Sequence, residues 1–247
     1  MDSNQPSQLS IAQVLELLSN GELSIQGMLP WSSNYTLLVL IEHEGIQGLG
    51  VYKPRRGERP LWDFPQGTLC QREVAAYLLS EALGWGLVPP TVLRDGPHGI
   101  GSVQLYIDAD HEAHLFTMQE EGGYDAVIER LSVFDVIANN ADRKSGHCLK
   151  ASDGRLWAID HGICFHAEPK LRTVIWDFAG SPIDPAIMND LRALQERVQQ
   201  RDPLIEALEQ LLAPDEVQAF HRRLERLIRR GKHPEPGRGH NVPWPPV

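Results

Sequence analysis

The sequence predicts an α+β chain in two lobes: an antiparallel sheet carrying one helix, then a mainly helical part. Three observations lead there. Short β-rich segments broken by Gly crowd into the first 107 positions, a single strongly helical segment lies among them, and from Tyr124 onward helical periodicity dominates apart from one very small hairpin. The lobes read as 1–107 and 108–233, followed by an irregular tail over 234–247 that is dense in Pro and Gly.

Ser10 is placed to cap a short helix, IAQVLELLSN, with Ile11, Val14, Leu15 and Leu18 on one face and Gly21 as its stop. The period then changes. ELSIQGMLP, YTLLVLIEHEG and IQGLGVYKP read as three antiparallel strands, the third ending at Lys53 and Pro54. A Pro- and Arg-containing loop leads to GTLCQREVAAYLLSEALGWG, helical through Cys70, Val74, Tyr77, Leu78 and Ala82, with Thr68 as cap and Gly84 as terminator. VPPTVLRD and IGSVQLYID add two strands. YDAVIERLSVFDVIA is apolar almost all round and predicts a buried helix, after which HCLKA and LWAID form a hairpin through the turn Ser152–Gly154. Asp184 with Pro185, and Asp202 with Pro203, start two further helices, and DEVQAFHRRLERLIRRG closes the fold.

At 247 residues with 42% hydrophobic content the chain is long enough for a substantial core. A net charge of -10 speaks against a phosphate-tracking nucleic-acid binder and against adhesion to anionic membranes. No apolar run nears the roughly 20 residues of a membrane helix, and MDSNQPSQ lacks the pattern of a secretory signal, so the expected location is cytoplasmic, with no stable membrane insertion. Cys70, Cys148 and Cys164 are too few and too scattered for a disulfide framework or a metal finger and read as reduced thiols. HRRLERLIRR carries six basic or histidine residues, but Leu224, Leu227 and Ile228 mark it as an amphipathic core helix with a solvated basic face rather than a nucleic-acid contact.

Chemistry concentrates in NNADRKSGHCL and LWAIDHGICF. Phosphoryl transfer from a metal-bound donor needs anionic or strongly polar ligands, and a carboxylate beside the attacking hydroxyl. Asp142 follows the buried helix, His147 opens the hairpin and Asp160 closes it, so the turn at Ser152–Gly154 brings the three together, with Gly162 letting the backbone bend away. Singly, each has a plainer reading: an Asp after a helix is commonly a turn former, and a lone hairpin His a hydrogen-bonded structural residue. The pair of acids at this interval is what favours chemistry.

DRKSGH with IDHG resembles the catalytic loop and metal-binding triplet of the phosphatidylinositol 3- and 4-kinase superfamily, and the interval from Asp142 to Asp160 matches that family too. HipA-type kinases share the layout. A group of bacterial phosphatidylinositol-kinase-like proteins is more similar still, through FPQGTL, REVAAYLLSEALGWGLVPPT and SVQLY, over roughly residues 24 to 180. The resemblance implies a protein-kinase-like fold and an ATP-dependent transferase, with Asp142 as catalytic aspartate, Arg143 as its loop partner, and Asp160 binding Mg²⁺ or Mn²⁺. His147 stands where the family has Asn. An imidazole suits Mn²⁺ or Zn²⁺ better than Mg²⁺, which leaves activity reduced, moved to another metal, or absent. Asn139 and Asn140 are possible substitute ligands.

The first lobe supplies an independent argument. A nucleotide needs a cation on its phosphates, held by an anion, and kinases take these from a strand Lys and a helix Glu. Lys53 and Glu73 stand in that order, with Glu81 a second candidate; singly, they read as an edge-strand charge and a solvated first-turn residue. Ser32, Ser33 and Asn34 offer donors to phosphate, though an ordinary polar hairpin explains them as well. Gln104, Tyr106 and Ile107 border the adenine on the strength of the resemblance alone. The expected partners are ATP and an unidentified hydroxyl-bearing substrate, protein or small molecule rather than lipid. Two alternatives stand beside the kinase: a nucleotide-binding pseudokinase, and a metallohydrolase using His147, Asp160, His161 and His166.

Overall fold

The computed structural model describes residues 9–29 and 35–247. Contacts divide the chain into two compact units, one made of the chain up to Arg59 together with Pro90–Tyr106, the other of Pro60–Pro89 and Ile107–Val247.

The first unit holds α1 (Ile11–Asn20) and a five-stranded antiparallel sheet of β1 (Glu22–Met28), β2 (Leu37–His43), β3 (Ile46–Pro54), β4 (Thr91–Gly96) and β5 (Gly99–Leu105), in the order β1-β2-β3-β5-β4. Alternation in β2 turns Leu37, Val39 and Ile41 inward against Val14, Leu17 and Leu18 of α1, and Tyr52 and Val103 complete the cluster. Ser10 caps α1 as its sequence position predicts, in a reciprocal box with Gln13. At the other end a Cβ on Gly21 would stand 2.5 Å from Ile41 Cγ2, so the close approach of helix to strand requires glycine there. The Arg94 guanidinium donates to the carbonyls of Leu18 and Gly21, which satisfies the end of that helix.

The second unit contains α2 (Leu69–Ala82), α3 (Leu115–Glu121), α4 (Asp125–Ala138), the hairpin β6 (Cys148–Lys150) and β7 (Leu156–Ala158), then α5 (Pro185–Gln199), α6 (Pro203–Glu209) and α7 (Pro214–Arg230). Segment 60–89, which the sequence reading ran on with the sheet, groups by contact with these helices because α2 packs against α6. Thr68 precedes α2 without capping it: its hydroxyl donates to the Pro65 carbonyl and accepts from Arg72 Nε. Asp184 and Asp202 cap α5 and α6 through the amides of Ala186 and Leu204, each with Pro in the first turn. The helix α3 was not foreseen; its seven residues carry only three apolar ones, Leu115, Phe116 and Met118, a run too short to stand out from a loop. The three cysteines are buried free thiols, and burial raises the Cys148 thiol to about 12.

Candidate active site

Every residue of the proposed chemical centre lies in the second unit, on two loops that the chain cross-links by backbone. The first follows α4, whose last carbonyls meet Asn139 in the left-handed conformation. Ala141 N–H donates to Ile163 O (3.1 Å), Phe165 N–H to Ala138 O (2.6 Å), and Ile159 N–H to His147 O (2.9 Å). Phe64, Leu69 and Ala141 form a small apolar cluster with Leu61 and Ile163 beneath the crossing.

Arg143 and Asp135 hold the first loop from below. Both are fully buried, and Arg143 Nε and Nη2 reach the Asp135 carboxylate at 3.0 to 3.2 Å. Burial works against the guanidinium's charge, but Asp135 outweighs it and the net shift of Arg143 is upward. Its remaining donors reach His147 O, Ile159 O and the His161 ring. Arg143, read from the sequence as an ion-pair partner of the loop and grouped with Asp142 among the catalytic residues, organises that loop from inside the core. Asn140 continues the scaffold, donating to Asp135 Oδ1 and accepting from Asp142 N–H (3.0 Å). Asn139 donates to His166 O and Glu168 O and accepts from Lys170 N–H. Both amides are thus turned inward, and neither is placed as a substitute metal ligand.

Above this scaffold stand the polar groups. His147 Nε2 lies 3.3 Å from Asp160 Oδ2, and Lys144 Nζ lies 3.3 Å from Asp142 Oδ2. His147 closes a 3-10 turn, Ser145–His147, immediately before β6, and Asp160 comes two residues after β7. Asp160 itself, at φ 62°, makes the left-handed turn that the sequence reading gave to Gly162. Burial raises the Asp142 carboxyl above its ordinary value, Lys144 pulls it back, and the charge of Asp160 raises it again, so the two acids sense each other. Two donors on one face, with a second carboxylate close by, fit a divalent cation that draws its other ligands from phosphate oxygens and water. Among the described residues no three His, Cys, Asp or Glu side chains gather into a ready-made cage. The metallohydrolase set is broken up as well. His161 Nε2 faces the Arg143 guanidinium, which can only donate, so that lone pair is taken; His166 binds Asp63 O through Nε2 and accepts from Glu168 N–H at Nδ1.

Glu73 was expected as a solvated or nucleotide-facing residue of α2. It is buried, and its Oε2 accepts from His161 N–H at 2.9 Å, one residue beyond Asp160. Its neighbour Arg72, missed in the sequence, donates to Cys164 O (2.7 Å) and pairs with Glu216 of α7 (2.6 Å). Lys53 is the last residue but one of β3, in the first unit. There Gln104 turns inward to Thr91 Oγ1, and Tyr106 N–H donates to Leu49 O, while Ile107 opens the second unit. Ser32, Ser33 and Asn34 lie outside the described residues.

No protein-family model matches the chain. It is 40% identical to protein Rv2133c of Mycobacterium tuberculosis, over 93% of this chain and 94% of that one. It is 29% identical to phosphatidylinositol 4-kinase gamma 4 of Oryza sativa subsp. japonica, over 46% of this chain but only 24% of the rice protein. Among solved structures, the Helicobacter pylori proinflammatory kinase CtkA superposes with a TM-score of 0.54 at 13% identity, covering 85% of this chain and 92% of the other. Hydra Fam20 gives 0.55 at 14% identity, covering 92% and 90%. The fold is protein-kinase-like, a mixed α+β arrangement with an antiparallel sheet and seven α-helices among the described residues.

Proposed function

The chain belongs to the family of Mycobacterium tuberculosis protein Rv2133c, and from its protein-kinase-like fold and its partial likeness to phosphatidylinositol 4-kinase gamma 4 we propose that it is an ATP-dependent phosphotransferase of the phosphatidylinositol-kinase-like class. The observation that carries the reading is the approach of His147 to Asp160 beside Asp142, on loops cross-linked by backbone and braced by Arg143 and Asp135. In this reading Asp142 orients the acceptor hydroxyl and receives its proton; burial, by raising that carboxyl, makes it a better base once ionised. Asp160 and His147 hold Mg²⁺ or Mn²⁺, which supplies charge neutralisation on the donor phosphates. Glu73 keeps the Asp160 loop in place through His161 N–H and, as the resemblance implies, pairs with Lys53 on the nucleotide phosphates. Ser32, Ser33 and Asn34 contribute phosphate donors, and Gln104, Tyr106 and Ile107 border the adenine. The lobes at 1–107 and 108–233 act as nucleotide-clamping and catalytic halves, and the acceptor is a protein or small molecule. No helix among the described residues is long and apolar enough to cross a membrane, and the setting we propose is the cytoplasm.

The imidazole also favours a second reading. His147 already binds the carboxylate that the metal requires, which suits a pseudokinase that holds nucleotide without transfer.

Thermal unfolding with and without ATP, Mg²⁺ and Mn²⁺ tests the first reading. A metal-dependent rise in melting temperature that disappears in Asp160→Asn is the expected result, and identical melting in every condition overturns nucleotide binding. Labelled phosphate transfer under both metals separates the readings: binding without transfer selects the pseudokinase.

A further inference from the structure

A cavity of about 440 Å³ opens in the second unit where the segment following the Asp160 loop meets the C-terminal tail, lined among others by Lys170, Arg172, Trp176, Glu235, Arg238 and His240. The size suits a small ligand. Its charge runs against that of the chain, whose net is -10. Lys170 is held by Asp63 at 2.9 Å and Glu168 at 3.8 Å, but among the described residues neither Arg172 nor Arg238 has a carboxylate partner, and Glu235 is the one acid in the lining.

Both walls are built. Thr173 N–H and Trp176 Nε1 both donate to Asn241 O, and the Asn241 amide donates to Gly237 O and Gly239 O, which fixes the tail as one wall. The other wall is fastened to the loop of Asp142: Arg172 N–H donates to Asn140 O (2.9 Å), and Arg143 N–H donates to Arg172 O (3.0 Å). Arg172 thus brackets Asp142 from one side of the backbone to the other, and Arg143 pairs with Thr173 in a parallel bridge.

We propose that this cavity binds a phosphate monoester carried by the acceptor, with the guanidinium forks of Arg172 and Arg238 on its oxygens and the Trp176 ring against its carbon skeleton. Fork geometry matches phosphate in a way an ammonium does not. The role as acceptor site rests on the kinase reading above; the anion site does not. Phosphate monoesters occur free and as lipid headgroups, and the chemistry of the lining is the same for both.

Calorimetric titration of glycerol 1-phosphate into the nucleotide-free full chain tests it. Arg172→Gln and Arg238→Gln are each expected to weaken binding about tenfold, and the double variant about a hundredfold, with Arg→Lys at either position falling between. No binding by the wild type of either millimolar glycerol 1-phosphate or phosphatidate-containing vesicles overturns the proposal. So does binding that the double variant retains, which would place the anion elsewhere, and melting curves of the variants exclude loss of fold as the cause of any loss. Phosphatidylcholine vesicles containing phosphatidate distinguish the sources: capture that needs the two arginines on vesicles but not in solution assigns the lipid, and the reverse assigns the soluble ester. If glycerol 1-phosphate binds through the arginines while ATP produces no metal-dependent melting shift, the anion site stands and the kinase reading falls. An ATP shift without ester binding has the opposite meaning.

Discussion

On its inner side the loop 139–147 is saturated with bonds. Asp135 and Arg143 are 0% exposed and share three contacts of 3.0 to 3.2 Å, while Asn139 and Asn140 use their amides on backbone and on Asp135. On its outer side the side chains of Asp142 and Asp160 are 27% and 41% exposed, and they lie 3.3 Å from Lys144 Nζ and His147 Nε2 respectively. Asp142 and Arg143 are adjacent in sequence and belong to opposite faces. The difference teaches that stability and chemistry are divided within one short loop, residue by residue, so a substitution on one face should leave the other largely unaffected.

The sharpest way to break that comparison is to remove the inner charge pair by halves. Arg143→Met leaves the Asp135 carboxylate buried without its counter-charge and is expected to cost about 3–5 kcal/mol of stability in denaturant unfolding. Arg143→Met combined with Asp135→Leu should recover much of that loss, because no isolated charge then remains. A cost for the single variant as small as that of an exposed pair would mean that the inner face is not the structural one.

A smaller effect is expected from Glu73→Ala, about 1–3 kcal/mol, since His161 N–H is left buried without that acceptor. Glu73→Gln keeps an acceptor oxygen and should cost less. If Glu73 serves the outer face as proposed, the alanine variant also loses part of the metal-dependent ATP shift, which a purely structural role would leave in proportion to stability.

These two faces were unequally legible in the sequence. Period and punctuation located the sheet, the buried helix α4 and the hairpin, and the short turn at Ser152–Gly154 was enough to foresee that His147 and Asp160 would meet. Local pattern carries no such information about partners far along the chain. Glu73 meets an amide 88 positions away, and Arg72 meets Glu216 at a separation of 144. Arg223 shows the same limit: the basic face of α7 reads as solvated, yet this guanidinium turns inward to Ile137 O and His166 O, and burial lowers it to about 10. Asn139 and Asn140, side by side in a polar motif, have the look of ligands in sequence, and only their backbone partners reveal the scaffold.

Further down in magnitude, Lys144→Ala tests the outer face. Its pair with Asp142 is partly exposed, so the stability change should stay within about 1 kcal/mol. The chemical consequence is larger than the structural one. Lys144 pulls the Asp142 carboxyl down against burial and against Asp160, so without it the carboxyl rises further, and the acid limb of any transfer activity moves to higher pH.

The smallest effect is a gain in stability. The folded state raises the Asp142 carboxyl above its unfolded value, mainly through burial. Ionisation is then less favourable in the folded chain than in the unfolded one, so at neutral pH this charge subtracts from stability. Asp142→Asn removes it, and the variant should melt higher than wild type at neutral pH while any phosphate transfer is lost. As pH falls through the folded and then the ordinary carboxylate value, wild type becomes neutral in both states and the difference closes. A wild type that melts higher than the asparagine variant at neutral pH, with the gap vanishing in acid, would reverse the sign and make Asp142 part of the scaffold it stands beside.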